Sequence, residues 1–178
     1  MIPYVYYTPY HVYHSGPRMH PEQPRRIMAI VDRLENHQKN GLIALHEYKP
    51  TGLITGADDL TDIDYWTLKD GDTYKTRHTD TIVEATQYMI QTAIDHLLDA
   101  ETSCAFVLCR PPGHHAAADP SGFCISNNIW FAAETLLKHR VRRIAMYDWD
   151  VHHGDGTETL VQGAKGPQYG GIRFVSTH

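Results

Sequence analysis

Residues 145–156, Ala145-Met146-Tyr147-Asp148-Trp149-Asp150-Val151-His152-His153-Gly154-Asp155-Gly156, pass from an apolar run into aspartates, histidines and then glycines. If the run is a strand, its side chains alternate faces, so Asp148, Asp150 and His152 point one way and Trp149 and Val151 the other. Two carboxylates and an imidazole on one face are costly to bury together, because like charges repel where solvent is scarce. A divalent cation among them removes that conflict. Aspartate oxygen and histidine nitrogen suit zinc, and a site with few protein ligands keeps a position open for water. A second imidazole pair, His114 and His115, follows the turn Arg110-Pro111-Pro112-Gly113. A metal-bound water has its pKa lowered to about 7, and a nearby imidazole takes its proton as the water attacks a carbonyl, so no covalent intermediate is needed. Such an imidazole is held in one tautomer by a carboxylate on its far nitrogen, and Asp148 and Asp155 are available for that task.

The elements that must position these groups read as strand, helix, strand, helix, strand. Residues 3–7 form a short aromatic and β-branched strand, and Ile27, Ile30, Val31 and Leu34 recur at helical spacing over 22–37, with Pro24 in a tolerated first-turn position. Between Gly41 and Tyr74 the pattern is weak: residues 42–45 read as a strand, and Gly52 and Gly56 mark loops. Thr79 or Asp80 caps a helix running to about residue 99, whose apolar positions include Ile82, Met89, Ala93 and Ile94. Residues 104–109 are a continuous apolar run, the pattern of a strand covered on both faces. Ser126 caps the next helix, 127–139, which leads into the aspartate-rich strand. This alternation predicts right-handed crossovers and a mainly parallel sheet between helical layers, a three-layer αβα arrangement in a single domain spanning 1–178. Ligands of open parallel sheets sit beyond the carboxyl ends of strands, where both His-His pairs fall, and neighbouring strands would bring the pairs together.

The net charge of -5 and pI near 6.2 provide no basic surface for direct nucleic-acid binding. Cys104, Cys109 and Cys124 are an odd count without CxxC spacing, which favours a reducing compartment over a disulfide framework. The start Met1-Ile2-Pro3-Tyr4 has neither a charged leader nor a long apolar segment, and no membrane span is expected. These features predict a cytoplasmic protein, or a nuclear one in a eukaryote.

The segments 110–115 (Arg-Pro-Pro-Gly-His-His), 122–128 (Gly-Phe-Cys-Ile-Ser-Asn-Asn) and 148–157 (Asp-Trp-Asp-Val-His-His-Gly-Asp-Gly-Thr) strongly resemble the zinc-dependent histone deacetylase family of the arginase/deacetylase fold. Residues 20–26 (His-Pro-Glu-Gln-Pro-Arg-Arg) resemble an early element of that family, and 70–74 (Asp-Gly-Asp-Thr-Tyr) its loop before a long helix. The Gly113-His114 junction and the Asp-Trp-Asp-Val wording are closer to the class II and bacterial deacetylases than to class I. The resemblance implies that Asp150 and His152 are zinc ligands and that His114 and His115 stand beside the zinc-bound water. His115 is then the general base with Asp155 as its carboxylate, while His114, paired with Asp148, is an electrostatic or acid group. Gly122 and Phe123 match the wall of a tunnel that grips the acyl-lysine stem, where an aromatic face suits methylenes. Asp148, Asp150, the His152 carbonyl and Ser176 match a structural potassium site, and Arg26 a channel below the metal.

The family's third zinc ligand, an Asp, and its Gly-Gly-Tyr tyrosine fall beyond His178, so the resemblance covers the N-terminal portion of a deacetylase domain. The expectation is a fold incomplete at its C-terminus and a 178-residue chain with little or no deacetylase activity by itself. The expected substrate is an acetylated lysine side chain of a protein. An acetylpolyamine or other small amide uses the same chemistry, and a non-catalytic binding domain is the alternative outside enzymes. A binuclear manganese ureohydrolase fits less well, because His-His-Gly-Asp follows Asp150-Val151 here in place of further clustered aspartates. Asp72 reads equally as a turn former or a substrate contact. His11, His14, His20, His78 and His178 read as surface or supporting residues, and Cys124 as a small packing residue.

Overall fold

The structure, a computed structural model, describes residues 1–50 and 64–178; Gly52 and Gly56, read above as loop markers, lie outside the described residues. The chain begins with β1 (Tyr4–Tyr7), a 3-10 turn at Pro9–Tyr13, α1 (Arg25–Lys39) and β2 (Ala44–Glu47). A hairpin of β3 (Tyr65–Thr67) and β4 (Tyr74–Thr76) precedes α2 (Thr79–Leu98) and β5 (Ala105–Leu108). Then come α3 (Asn128–Lys138), β6 (Ile144–Asp148), α4 (Asp155–Gly163), a 3-10 turn at Pro167–Gly171, and β7 (Ile172–Ser176). β1 is paired in parallel with both β2 and β5, and β6 in parallel with β7. The α/β architecture with mainly parallel pairing is therefore the one expected.

The described chain forms two compact units, Met1–Thr67 with Tyr74–Pro111, and Leu68–Thr73 with Pro112–His178. In the first, Tyr6 of β1 packs against Met89 and Ala93 of α2, with Ala105 and Val107 alongside. The opposite face of that sheet presents Val5 and Phe106 to a groove that Ile30 and Leu34 of α1 also line. Helices thus flank both sheet faces, as alternating strand residues require. The full cover expected for residues 104–109 is not reached, since Phe106 is 52% exposed. In the second unit, Ile144 and Met146 of β6, Ile172 of β7 and Ala133 of α3 make the core, with Trp130, Leu137 and Val161 packed on it.

Three local expectations are corrected. The strand expected to carry residues 145–152 ends at Asp148. Its continuation turns away because Asp148 and Asp150 accept backbone hydrogen bonds two residues ahead, a bend that a pleated strand does not allow. α3 is capped by Asn127, whose side chain accepts from Trp130 N, and not by Ser126. Thr79 is the first residue of α2 rather than its cap; its hydroxyl accepts from Thr76 N at 2.7 Å. Among the described residues no helix is long and apolar enough to cross a membrane.

Candidate active site

The tandem histidines lie in the second unit, within the loop between Pro112 and α3. The two His-His pairs, expected to lie near each other, come together within this unit. β5 pairs with β1 and β6 with β7. The histidine loop is docked on the first turn of α4. Thr157 N donates to the His114 carbonyl at 3.0 Å, and Asn127 Nδ2 donates to the Ala116 carbonyl and to Thr157 Oγ1 at 2.9 and 3.0 Å. Gly156 permits this approach, because a Cβ there would stand 2.3 Å from the His115 carbonyl carbon. Asn127 and Thr157, both buried, were not singled out in the sequence. Their only signal was position, Asn127 inside the second matched segment and Thr157 closing the third.

Each imidazole meets its own carboxylate. His114 Nδ1 is 2.9 Å from Asp148 Oδ2, and His115 Nδ1 is 2.6 Å from Asp155 Oδ1. The ring centroids stand 4.0 Å apart, and the His152 ring lies 6.1 Å from that of His115. Burial pushes the Asp155 carboxyl up, but the His115 hydrogen bond and charge and the Gly156 amide outweigh it, leaving Asp155 below the ordinary carboxylate range. Asp155 is thus an ionised acceptor at neutral pH.

Asp150 and His152 face each other at 3.1 Å between Oδ1 and Nδ1. They are brought together by consecutive Asx turns, with Asp150 N on Asp148 Oδ1 and His152 N on Asp150 Oδ1. The amide of His152, with its ring, holds the Asp150 carboxyl below its usual range against the opposing effect of burial. An anionic oxygen and an imidazole nitrogen at this separation are chemically suited to two corners of a zinc shell. Among the described residues no group of three or more His, Cys, Asp or Glu comes together to hold a metal. Asp148 and Ser176 are ladder partners across β6 and β7, and Ser176 Oγ accepts from Gly154 N at 3.3 Å.

Gly122 and Phe123 form a turn whose backbone is left-handed at both residues, with φ of 52° and 70°. Asp70, a residue that the sequence reading did not assign, accepts from Gly122 N at 3.1 Å and from Thr73 Oγ1 at 2.5 Å, and Thr73 Oγ1 accepts from Phe123 N at 2.9 Å. The Asp-Gly-Asp-Thr spacing was the available signal. Cys124 is fully buried behind this turn, receives the His115 amide at 3.4 Å, and has its thiol pushed up to about 12, chiefly by burial. Arg26 belongs to the first unit, where its half-exposed guanidinium is 4.0 Å from Glu22. Of the histidines read as surface or supporting residues, His11, His14 and His78 are buried, because each is engaged in the packing of the first unit around Tyr13, Thr79 and Arg110.

Residues 20–178 match the histone deacetylase domain family. An uncharacterized protein of Synechocystis sp. is 33% identical over 90% of this chain and 57% of its own length. Acetylpolyamine amidohydrolase of Mycoplana ramosa is 41% identical over 53% of this chain and 27% of its own length. Histone deacetylase 5 of Arabidopsis thaliana is 46% identical over 47% of this chain and 13% of its own length. The crystal structure of the HDA15 HD domain superposes with a TM-score of 0.79 at 23% identity, covering 99% of this chain and 53% of that one, so the two share a fold. The chain thus spans little more than half the length of the Synechocystis relative and smaller shares of the other two proteins.

Proposed function

Because the chain belongs to the histone deacetylase domain family, we propose that its site hydrolyses an acetyl-lysine-type amide, with His114 and His115 as the groups that handle protons. The observation that carries this reading is the pair of imidazole–carboxylate contacts, His114–Asp148 and His115–Asp155, on rings 4.0 Å apart. With Asp155 ionised, His115 carries its proton on Nδ1 and turns a free Nε2 lone pair away from the aspartate. His115 Nε2 receives the proton of the attacking water, and Asp155 stabilises the imidazolium that results. His114, on Asp148, supplies the second charge and a proton for the leaving amine. Gly122 and Phe123 flank the acyl-lysine stem. Asp150 and His152 would hold zinc, which when bound would supply an acidified water, and Asp148, Asp150, His152 and Ser176 would hold a structural potassium.

The test is acetate release from an acetyl-lysine peptide by the purified protein, with and without added zinc, alongside metal analysis. Turnover that follows zinc at one equivalent per chain supports the reading. Two manganese ions per chain, or no zinc-dependent acetate release from these residues within a chain of the full length of its relatives, refutes it. The Mycoplana ramosa relative, named as an acetylpolyamine amidohydrolase, favours acetylpolyamines as a second substrate class for the same residues. A kcat/KM for an acetylated diamine above that for the peptide would select it.

A further inference from the structure

Gly122 and Phe123 pose a physical problem that the proposed chemistry does not answer. A residue with a side chain in the left-handed region costs roughly 1–2 kcal/mol, and here Phe123 adopts φ 70° directly after Gly122 at 52°. Such a conformation persists only where its surroundings over-determine it. The Gly122 backbone also lies flat on a ring: a Cβ at Gly122 would stand 2.6 Å from His115 Cδ2 and 2.9 Å from its Cγ. Whatever fixes this turn therefore fixes one wall of the His115 imidazole as well as the Phe123 side chain.

The fixing groups are Asp70 and Thr73. The Asp70 carboxylate accepts from the amides of Asp72, Thr73 and Gly122 at 3.3, 3.0 and 3.1 Å, and from Thr73 Oγ1 at 2.5 Å. Thr73, fully buried, passes the connection on by accepting from Phe123 N at 2.9 Å. Both left-handed residues thus have their amides tied to one two-residue unit, and the anion's several donors hold its carboxyl below the usual range although burial pushes the other way. We propose that Asp70 and Thr73 are positioning residues, a clamp that locks the Gly122–Phe123 turn and through it the orientation of the His115 ring. The inference rests on the reading of His115 as the base and of Phe123 as the stem-gripping wall.

The test pairs Asp70→Asn and Thr73→Val with the conservative Thr73→Ser, measured by NMR on the whole chain. The expected result is amide exchange at Gly122 and Phe123 about tenfold faster in Asp70→Asn and Thr73→Val, from loss of one hydrogen bond to a charged group or its relay. The His115 Cδ2–Hδ2 signal should shift in both while the urea midpoint stays close to wild type, and Thr73→Ser should behave as wild type. Asp70 is exposed, so its variant decides the matter even where Thr73→Val fails to fold. Wild-type exchange and an unmoved His115 signal in Asp70→Asn would overturn the clamp. Neither readout needs turnover, so the clamp is tested separately from the proposed activity. Where wild type is active, Asp70→Asn should lower kcat about 10–100-fold, the range for changes in groups that orient others, with less effect on KM; an unchanged kcat would overturn the role in the reaction.

Discussion

His115 and Asp155 differ in exposure, 21% against 64% of the side chain, so the proposed base is the more enclosed member and its partner reaches it from solvent. Under the proposed mechanism, removing the imidazole deletes the proton acceptor, whereas Asp155→Asn leaves the ring in place and only loosens its tautomer. In zinc-loaded protein His115→Ala should therefore lower kcat by roughly 10²–10⁴, as general-base deletions do, and Asp155→Asn by about 10–100. Steady-state kinetics on an acetyl-lysine peptide checks the order, and equal activity in wild type and His115→Ala would remove His115 from the base role. Cysteine reactivity separates by burial. Cys104 is exposed, Cys109 half-buried and Cys124 buried, and burial is the main reason that the thiols of Cys109 and Cys124 are pushed up to about 11 and about 12. Iodoacetamide at mildly alkaline pH should label Cys104 first in the native protein, Cys109 more slowly, and Cys124 only after denaturation, as peptide mass spectrometry would show. The pairing of imidazoles with Asp148 and Asp155 was legible because the chemistry of a base demands such partners. The Asx turns that join Asp150 to His152 were not, because period-2 alternation predicts the same neighbours by a different backbone path.

At the scale of elements, the segments of the first unit converge on Arg110. Its Nε donates to Glu22 Oε1, and its terminal nitrogens donate to Glu22 Oε2, the Tyr74 hydroxyl and the carbonyls of His11 and His14 at 2.6–3.1 Å. Arg110, Glu22 and His14 are each about 1% exposed, so the cluster joins the turn after β1, the 20–24 loop, β4 and the end of β5 in a dry place. Burial above all, with Arg110 adding to it against the pull of Glu22, lowers His14 to about 4 from 6.5. Burial pushes Glu22 up, but its Arg110 hydrogen bonds and charge prevail and its carboxyl is held below 4.5. Both shifts leave the unfolded chain with more bound protons than the folded one. His14's contribution to stability is complete above about pH 6.5 and is lost as pH falls from there to about 4; Glu22's is lost from about 4.5 downward. Urea midpoints should therefore fall on acidification through the upper window, and His14→Gln should flatten that part of the curve. Glu22→Ala, which strands the guanidinium, should cost about 3–5 kcal/mol in urea unfolding at pH 7. Helical periodicity made α1, α2 and α3 legible within a few residues. The β3–β4 hairpin was not, since three-residue strands are too short to display alternation. α4 was hidden as well, because its first turn reads as a glycine loop.

For the molecule as a whole, the alternation that directs Ile144 and Met146 into the core of the second unit directs Tyr147 of β6 and Val175 of β7 to the other face, each 53% exposed. Trp149 and Val151, just past β6, are 76% and 79% exposed. Parallel sheets are normally covered on both faces, and their strands read as apolar runs for that reason. The sequence of β6 was thus legible as a buried strand, but which face a neighbour covers is decided by tertiary packing that no local pattern records. Exposed aromatic and aliphatic side chains of this kind attract apolar dyes and promote association. As a 178-residue chain the protein should accordingly enhance 8-anilinonaphthalene-1-sulfonate fluorescence while fully folded and should self-associate with rising concentration. Trp149→Ser with Val151→Ser should reduce both effects and leave the thermal midpoint nearly unchanged, because side chains this exposed contribute within about 0.5 kcal/mol to folding. Dye titration and sedimentation velocity measure the two effects separately. Unchanged dye binding in the double variant would mean that the bound apolar surface lies elsewhere, with the Phe106 groove of the first unit the next region to mutate.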